Sequence, residues 1–318
     1  MQDILKFEHI RAAAARIAPH IRHTPVLRCP ELEAELGGEL HFKCENFQEM
    51  GAFKLRGASN AVLSLDGAAL KKGVATHSSG NHGTALALAA KRRGVHACVV
   101  MPDNASAYKK RAVAEYGAEI IYCEPTQAGR EAALAAYVAK TGASVVHPYN
   151  DAAVMAGQGT AAMELHEQVP GLDIVLAPLG GGGLLSGTAV ATHALRPDAK
   201  VIGAEPLGAD DAWRSLKAGH IEPVPHPDTV ADGLRATIGT LTFAVLREQA
   251  DEVVRVEEQD ILDAMRYVWE RMKIVIEPSA AVPVAALRRG LVPVRGRRAG
   301  IILSGGNVDL DKLVWSVK

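Results

Sequence analysis

From Gly73 onward, short apolar runs alternate with longer stretches whose apolar residues recur every three or four positions. The runs Gly73–His77, Val95–Met101, Glu119–Tyr122 and Ser144–His147 have the length and β-branched content of buried strands. Between them, Thr84–Arg93, Tyr108–Tyr116 and the Ala-rich Gly129–Lys140 carry helical periodicity. Strand followed by helix followed by strand predicts parallel βαβ units, here a four-stranded unit over residues 74–148. A second series begins with the strand Leu172–Ala177 and continues through the helix Leu184–Leu195 to the strand Lys200–Ala204. It closes with the helix Glu257–Met272 and the strand Gly300–Leu303. The pattern therefore predicts an α/β protein with two open sheets and a ligand between them, outside the carboxyl ends of the strands. The expected division is 1–66 with 151–318 as a large domain and 74–148 as a small one. The Pro-rich piece Glu222–Pro227 reads as a surface loop, since its prolines fit neither a helix nor a central strand.

Composition narrows the partner. Of 318 residues, 48% are hydrophobic but only 4% aromatic, so the core is Ala, Val, Leu and Ile, with 30 glycines shaping the backbone. Lys and Arg total 35 against 36 Asp and Glu, a formal net charge of −1, which leaves no global field to hold nucleic acid or an anionic membrane. A small molecule is the expected partner. No run approaches the roughly 18 apolar residues of a membrane helix. Asp3, Lys6, Glu8 and Arg11 interrupt any signal-peptide core, so the chain reads as cytoplasmic. Cys29, Cys44, Cys98 and Cys123 are scattered without metal-ligand spacing and read as free thiols.

Four segments carry candidate chemistry, three of them at strand-to-helix or strand-end junctions. Gly180-Gly181-Gly182-Gly183 lies between a strand and a helix, where backbone N–H groups and the helix N-terminus suit a phosphate; a plain flexible turn is the other reading. The spacing fails the G-x-G-x-x-G dinucleotide pattern, because the third glycine position falls on Leu185 or Ser186, so a monophosphate fits better. Ser78-Ser79-Gly80-Asn81-His82-Gly83 concentrates small donors suited to a carboxylate, or simply to a helix cap. Ser304-Gly305-Gly306-Asn307 follows an apolar strand and offers a neutral hydroxyl to a heterocyclic nitrogen. Lys54 sits among small and apolar residues in Gly51–Ala58, where desolvation lowers an amine's pKa, although a lysine on a helix face is commonly solvated. Amine, phosphate cup, carboxylate loop and neutral hydroxyl together make the set a pyridoxal phosphate enzyme needs.

Taken in order, Glu45-Asn46-Phe47-Gln48, Gly51 to Gly57, Ser78 to Gly83, Ala156 to Thr160, Gly180 to Leu184, Ala231-Asp232-Gly233, Trp269 to Met272 and Ser304 to Asn307 resemble the fold-type II pyridoxal phosphate (PLP) enzymes. The nearest group is the serine racemase and serine/threonine dehydratase family, whose two-domain α/β plan is tryptophan synthase β-like with the cofactor in the cleft. Cysteine synthases differ at the lysine segment and the serine loop. The chain ends soon after Ser304, so the regulatory domain of the longer threonine dehydratases is not expected.

The resemblance implies that Lys54 forms the internal aldimine and that Phe53 and Gly233 enclose the ring. It assigns the phosphate to Gly180, Gly181, Gly182, Gly183 and Leu184, the ring hydroxyl to Asn81 and the pyridine nitrogen to Ser304. Ser78, Asn81 and His82 would bind the substrate carboxylate, Ser79 would stand on the face opposite Lys54, and Arg130 would lie near the distal end of the substrate. Glu205, the carbonyl of Ala209, and Asp211 match a family site for Mg²⁺, Ca²⁺ or Mn²⁺; carboxylates at a helix start are the plainer reading. The family is usually dimeric or tetrameric, which implies a homo-oligomer.

The expected reaction is elimination from a β-hydroxy amino acid such as L-serine, L-threonine or 3-hydroxyaspartate, giving a 2-oxo acid and ammonia. Racemisation through Lys54 and Ser79 is the alternative. Tyr149 stands where animal serine racemases carry Asn, which tilts the reading toward elimination, and Arg130 would favour a substrate with a β-carboxylate.

Overall fold

The computed structural model describes residues 4–78, 80–105 and 107–313. Ten strands form among them: β1 (Val26–Leu27), β2 (Glu39–Cys44), β3 (Val74–His77), β4 (Ala97–Pro102), β5 (Glu119–Cys123), β6 (Ser144–Val145), β7 (Ile174–Pro178), β8 (Lys200–Pro206), β9 (Glu252–Val256) and β10 (Arg298–Leu303). The helices α1 (Phe7–Ile17), α2 (Pro30–Leu36), α3 (Lys54–Ser64), α4 (Gly67–Lys72), α5 (Asn81–Arg93), α6 (Ala107–Glu115) and α7 (Gln127–Thr141) are interleaved with the first six strands. They are followed by α8 (Ala152–Gln168), α9 (Gly183–Leu195), α10 (Asp211–Ala218), α11 (Thr240–Gln249), α12 (Glu258–Met272) and α13 (Pro278–Arg288).

The strands make two sheets. The larger runs β1-β2-β10-β7-β8-β9, parallel throughout except that β1 lies antiparallel on β2 at the edge. The smaller runs β5-β4-β3-β6 and is wholly parallel. Every strand read from the apolar pattern is present within a few residues. The pattern passed over β2 and β9 because Lys43, His41 and the charges of Glu252 and Arg255 interrupt their apolar runs. Lys43 is nevertheless fully buried, since its ammonium donates to Glu164 at 2.6 Å, Gln168 at 2.8 Å and the Thr24 carbonyl at 2.9 Å. One boundary changes meaning: β6 stops at Val145, two residues before the expected end, because the chain there turns to cross between the sheets.

The large sheet is covered on both faces, by α12 and α13 on one side and by α1, α8 and α9 on the other. Such two-sided cover explains the near-continuous apolar runs of β7 and β10. Helix α3 packs on both α8 and α5, so its Leu55, Ala58 and Val62 share a core with Val74, Leu86 and Ala97 of the small-sheet layer. Gly57 and Gly157 permit the α3–α8 approach: a Cβ at Gly157 would stand 2.6 Å from the Arg56 carbonyl oxygen. Arg56 completes the joint, its buried guanidinium forking onto Glu45 at 2.7 and 2.9 Å and onto Glu164 at 2.7 and 2.8 Å. Cys29, Cys44 and Cys98 are buried free thiols and Cys123 a half-buried one. Residues Glu222–Pro227 form a loop. Among the described residues no helix is long and apolar enough to cross a membrane.

Candidate active site

The carboxyl ends of β3, β7 and β10 and the start of α3 open into one cleft of about 500 Å³ between the sheets. Lys54 is the first residue of α3 and lines this cleft, with Phe53 before it. The backbone there is tied to the end of β10: the Phe53 N–H donates to the Ser304 carbonyl at 3.0 Å, and Ala52 bridges to Gly305. The Lys54 amine donates to the Pro148 carbonyl at 2.8 Å. Enclosure of the amine lowers its pKa to about 8, partly offset by the facing carboxylate of Glu277. The amine also lies over the ring of the adjacent Phe53, 5.1 Å from its centroid, so both a chain neighbour and the walls of the cleft enclose it.

Opposite Lys54, residues Gly180 to Gly183 join β7 to α9. The loop is anchored through its carbonyls, since Gly181 accepts from Thr242 Oγ1 at 2.8 Å and Gly182 from the Ser186 N–H at 2.9 Å. The first turn of α9, with Gly183 and Leu184, meanwhile presents N–H groups that no intrahelical carbonyl can accept. Two of the glycines are obligatory for reasons the sequence does not display. Gly182 has φ +89, and a Cβ at Gly181 would fall 2.4 Å from the Tyr149 ring. The result is a glycine loop bounded by Tyr149 on one side and Leu234 on the other, with backbone geometry of the kind that suits an anion.

The floor between this loop and the lysine carries Ser304, buried, and Glu277, which the sequence reading missed. Both carboxylate oxygens of Glu277 accept from Asn81 Nδ2, at 2.9 and 3.1 Å. Asn81 in turn accepts from Asn307 Nδ2 at 2.9 Å, so its amide can point only one way. Burial, with Asp232 nearby, raises the Glu277 pKa to about 7. Its signal in the sequence was an acid ending the apolar Ile274–Ile276 and followed by Pro278, a helix-start pattern that reads as a cap. Gly233 donates its N–H to Ser279 Oγ at 3.0 Å and lines the same cleft.

The small-sheet side supplies Ser78, Asn81 and His82. The His82 Nε2 donates to the Val146 carbonyl at 3.0 Å, and burial keeps this ring neutral, its pKa well below the ordinary value. Arg130, in the first turns of α7, and His77, at the end of β3, line the far end. Lys109 of α6 forms an ion pair with Asp232 across the cleft mouth. The structure therefore gathers Phe53, Lys54, Ser78, Asn81, His82, Arg130, Gly180 to Leu184, Gly233 and Ser304 in one cavity. Ser79 lies outside the described residues.

The three residues read as a cation site stand apart, where β8 runs into α10. Glu205 and Asp211 are buried, and Ala209 lies in the 3₁₀ turn between them. Glu205 accepts from the N–H groups of Ala212 at 3.2 Å and Trp213 at 2.7 Å, and Asp211 from that of Ile238 at 2.7 Å. Burial and the proximity of Asp211 push Glu205 well above the usual carboxylate range, and burial raises Asp211 to about 6. Two buried carboxylates with too little positive charge nearby are a donor set that a hard cation would neutralise. Among the described residues, no three His, Cys, Asp or Glu side chains gather at ligating range.

Residues 17–305 match the family model described as pyridoxal-phosphate dependent enzyme, so the chain belongs to that family and is a PLP enzyme of fold-type II. The chain is 51% identical over 310 residues to the beta-hydroxyaspartate dehydratase of Paracoccus denitrificans (strain Pd 1222), covering 98% of each. It is 48% identical to the serine racemase of Dictyostelium discoideum, covering 96% of this chain and 95% of that protein. The structure of maize serine racemase superposes with a TM-score of 0.94 at 45% identity, over 97% of this chain and 95% of that one.

Proposed function

We propose that this cleft catalyses loss of water from a β-hydroxy amino acid, with 3-hydroxyaspartate preferred to serine and threonine; the resulting enamine takes one water back on hydrolysis and so gives a 2-oxo acid and ammonia. The observation that carries the reading is the enclosed Lys54 amine, with a pKa near 8, facing a glycine anion cup and a neutral Ser304 across one cavity. Bound there, PLP supplies an aldehyde for a Schiff base and an electron-withdrawing ring that acidifies the substrate Cα–H. Lys54 serves as the amine nucleophile and, once released, as the base that takes the α-proton. Gly180, Gly181, Gly182, Gly183 and Leu184 hold the phosphate, Asn81 the ring hydroxyl and Ser304 the ring nitrogen, with Phe53 and Gly233 against the two ring faces. The hydroxyl of Ser304, being neutral, would not force that nitrogen to stay protonated, a setting that would favour elimination over racemisation.

Ser78, Asn81 and His82 take the α-carboxylate. Arg130 takes a second carboxylate at the far end, which is why the dicarboxylic substrate is preferred; the 51% identity to a beta-hydroxyaspartate dehydratase supports the same choice. Residues 1–66 with 151–318 form the cofactor unit and 74–148 the substrate unit. Glu205, the Ala209 carbonyl and Asp211 hold a divalent cation, Mg²⁺, Ca²⁺ or Mn²⁺, in a structural role. The enzyme works in the cytoplasm as a dimer or tetramer.

The test is ammonia and 2-oxo acid release from L-serine, L-threonine, their D-forms and the 3-hydroxyaspartates. The expected result is a 3-hydroxyaspartate isomer with kcat/KM at least about tenfold above serine, the scale of one charge-assisted contact. Racemisation with Ser79 as second acid is the other reading, supported by the racemase relatives. Serine enantiomers interconverting faster than ammonia appears would establish it and overturn ours.

A further inference from the structure

Residues 146–150 carry the chain from β6 in the small sheet to α8 beneath the large one, and this crossing touches the amine of Lys54. The segment is held from both sides. His82 donates to the Val146 carbonyl, while Asn150 accepts from the Leu241 N–H at 2.7 Å and donates to Thr240 Oγ1 at 3.2 Å. Its own turn is made by a side chain: His147 Nδ1 accepts from the backbone N–H of Asn150 at 2.9 Å and from that of Tyr149 at 3.3 Å. Backbone N–H groups only donate, so Nδ1 carries the lone pair and the ring proton sits on Nε2. The ring is fixed between two aromatic edges, His77 with centroids 5.6 Å apart and Tyr149 at 4.6 Å. The turn so formed aims the Pro148 carbonyl at Lys54 Nζ, 2.8 Å away.

We propose that His147 is a positioning residue for Lys54, acting through the Pro148 carbonyl: by accepting the Asn150 and Tyr149 N–H groups it folds the crossing so that this carbonyl parks the lysine amine inside the cleft. This rests on the reading of Lys54 as the cofactor-binding lysine. A lysine stem has four rotatable methylenes, and an amine left to sample them spends little time where it can react. One carbonyl acceptor holds one N–H and leaves the rest of the nitrogen open toward the cleft. Burial suits His147 to the task, holding its pKa at about 4 so that Nδ1 remains an acceptor at neutral pH. Proline is apt at the aiming position, because its restricted φ stiffens the turn and it has no N–H of its own to satisfy.

The replacements that decide the matter differ in where they put an acceptor. In H147N the amide oxygen can stand in for Nδ1; in H147Q it reaches toward the Nε2 position instead; H147A has none. Two readouts are taken: the rate at which apoprotein and PLP develop Schiff-base absorbance as amine and aldehyde join with loss of water, and kcat against KM for the best substrate. H147A and H147Q are expected to lose about tenfold to a hundredfold in condensation rate and in kcat, with KM changed less than about threefold. H147N is expected to recover at least about tenfold over H147Q. If H147A does not fold, the comparison of H147N with H147Q decides alone. Equal rates for H147N and H147Q, or H147A within about twofold of wild type, would overturn the inference. K54A separates the two claims: if it abolishes the absorbance while the His147 variants behave as wild type, only the positioning role falls. If K54A keeps the absorbance, the reading of Lys54 falls first.

Discussion

The two walls of the cleft are built in different ways. On the large-sheet wall, Gly180 to Leu184 and Ser304 are buried at the ends of β7 and β10, and Glu277 and Ser279 at the start of α13, against a sheet covered on both faces. On the small-sheet wall His82 is buried, but Ser78 just after β3, Asn81 at the start of α5 and Arg130 on α7 are half-buried, in a layer whose edge strand β5 is partly open to solvent. Backbone groups of a closely packed loop cannot move without displacing neighbours, whereas side chains on a thin, half-exposed layer can. The first wall therefore suits a group that is bound once and kept, and the second suits a ligand that enters and leaves with each turnover. Lys54 stands where the two meet, on a helix that packs against both layers.

That contrast predicts that changes on the large-sheet side alter cofactor retention for all substrates, while changes on the small-sheet side alter the choice among substrates. The largest effect lies at the junction: Lys54→Ala should lower turnover at least about a thousandfold on every substrate and abolish the Schiff-base absorbance. Next, Arg130→Ala should raise KM for a 3-hydroxyaspartate by about tenfold to a hundredfold while leaving serine within about threefold, the magnitude of one charge-assisted hydrogen bond. An equal loss on both substrates would erase the distinction between the walls. Gly181→Ala drives a methyl group into the Tyr149 ring and should cost about 1–3 kcal/mol of stability together with weaker PLP binding, read by thermal unfolding and by titration of apoprotein. Chelation of a bound cation at Glu205 and Asp211 should lower the melting temperature by a few degrees, on the order of 1–2 kcal/mol, with KM unchanged.

The smallest effect is a pH dependence. Glu277 titrates at about 7 in the fold against an ordinary 4.5, so the folded protein binds this proton more tightly than the unfolded chain. Its contribution to stability is complete below pH 4.5 and is lost as pH rises toward 7. Glu277→Gln should flatten that part of the curve of melting temperature against pH in the apoprotein. A curve unchanged by the substitution would mean that the carboxyl is already ionised across this range.

Much of the site was legible because its chemistry depends on contiguous residues. Glycines after an apolar strand, a serine-asparagine run after another and a serine after a third each announce themselves locally, since a strand end is where a parallel sheet delivers its ligands. Glu277 and the Pro148 carbonyl were not legible. One reads as a helix cap and the other is a main-chain atom, and both matter only because the chain brings residue 54 against residues 148 and 277. Lys43 misled in the opposite direction, since its charge marks surface in a sequence and hid β2, whereas in the fold it is neutralised within the core by Glu164.

The order of apolar runs determined, without coordinates, that this would be a two-sheet α/β protein, and the glycine junction after β7 offered a place for an anion; that Lys54 belongs with that junction was implied by the resemblance to the PLP family. Only the tertiary structure decided how the lysine is held, which way Asn81 points and which carboxylates are left without compensating charge. Local sequence specifies hydrogen-bonding patterns and periodicity over a few residues, whereas desolvation and the direction of a carbonyl are set by whatever distant segment packs alongside.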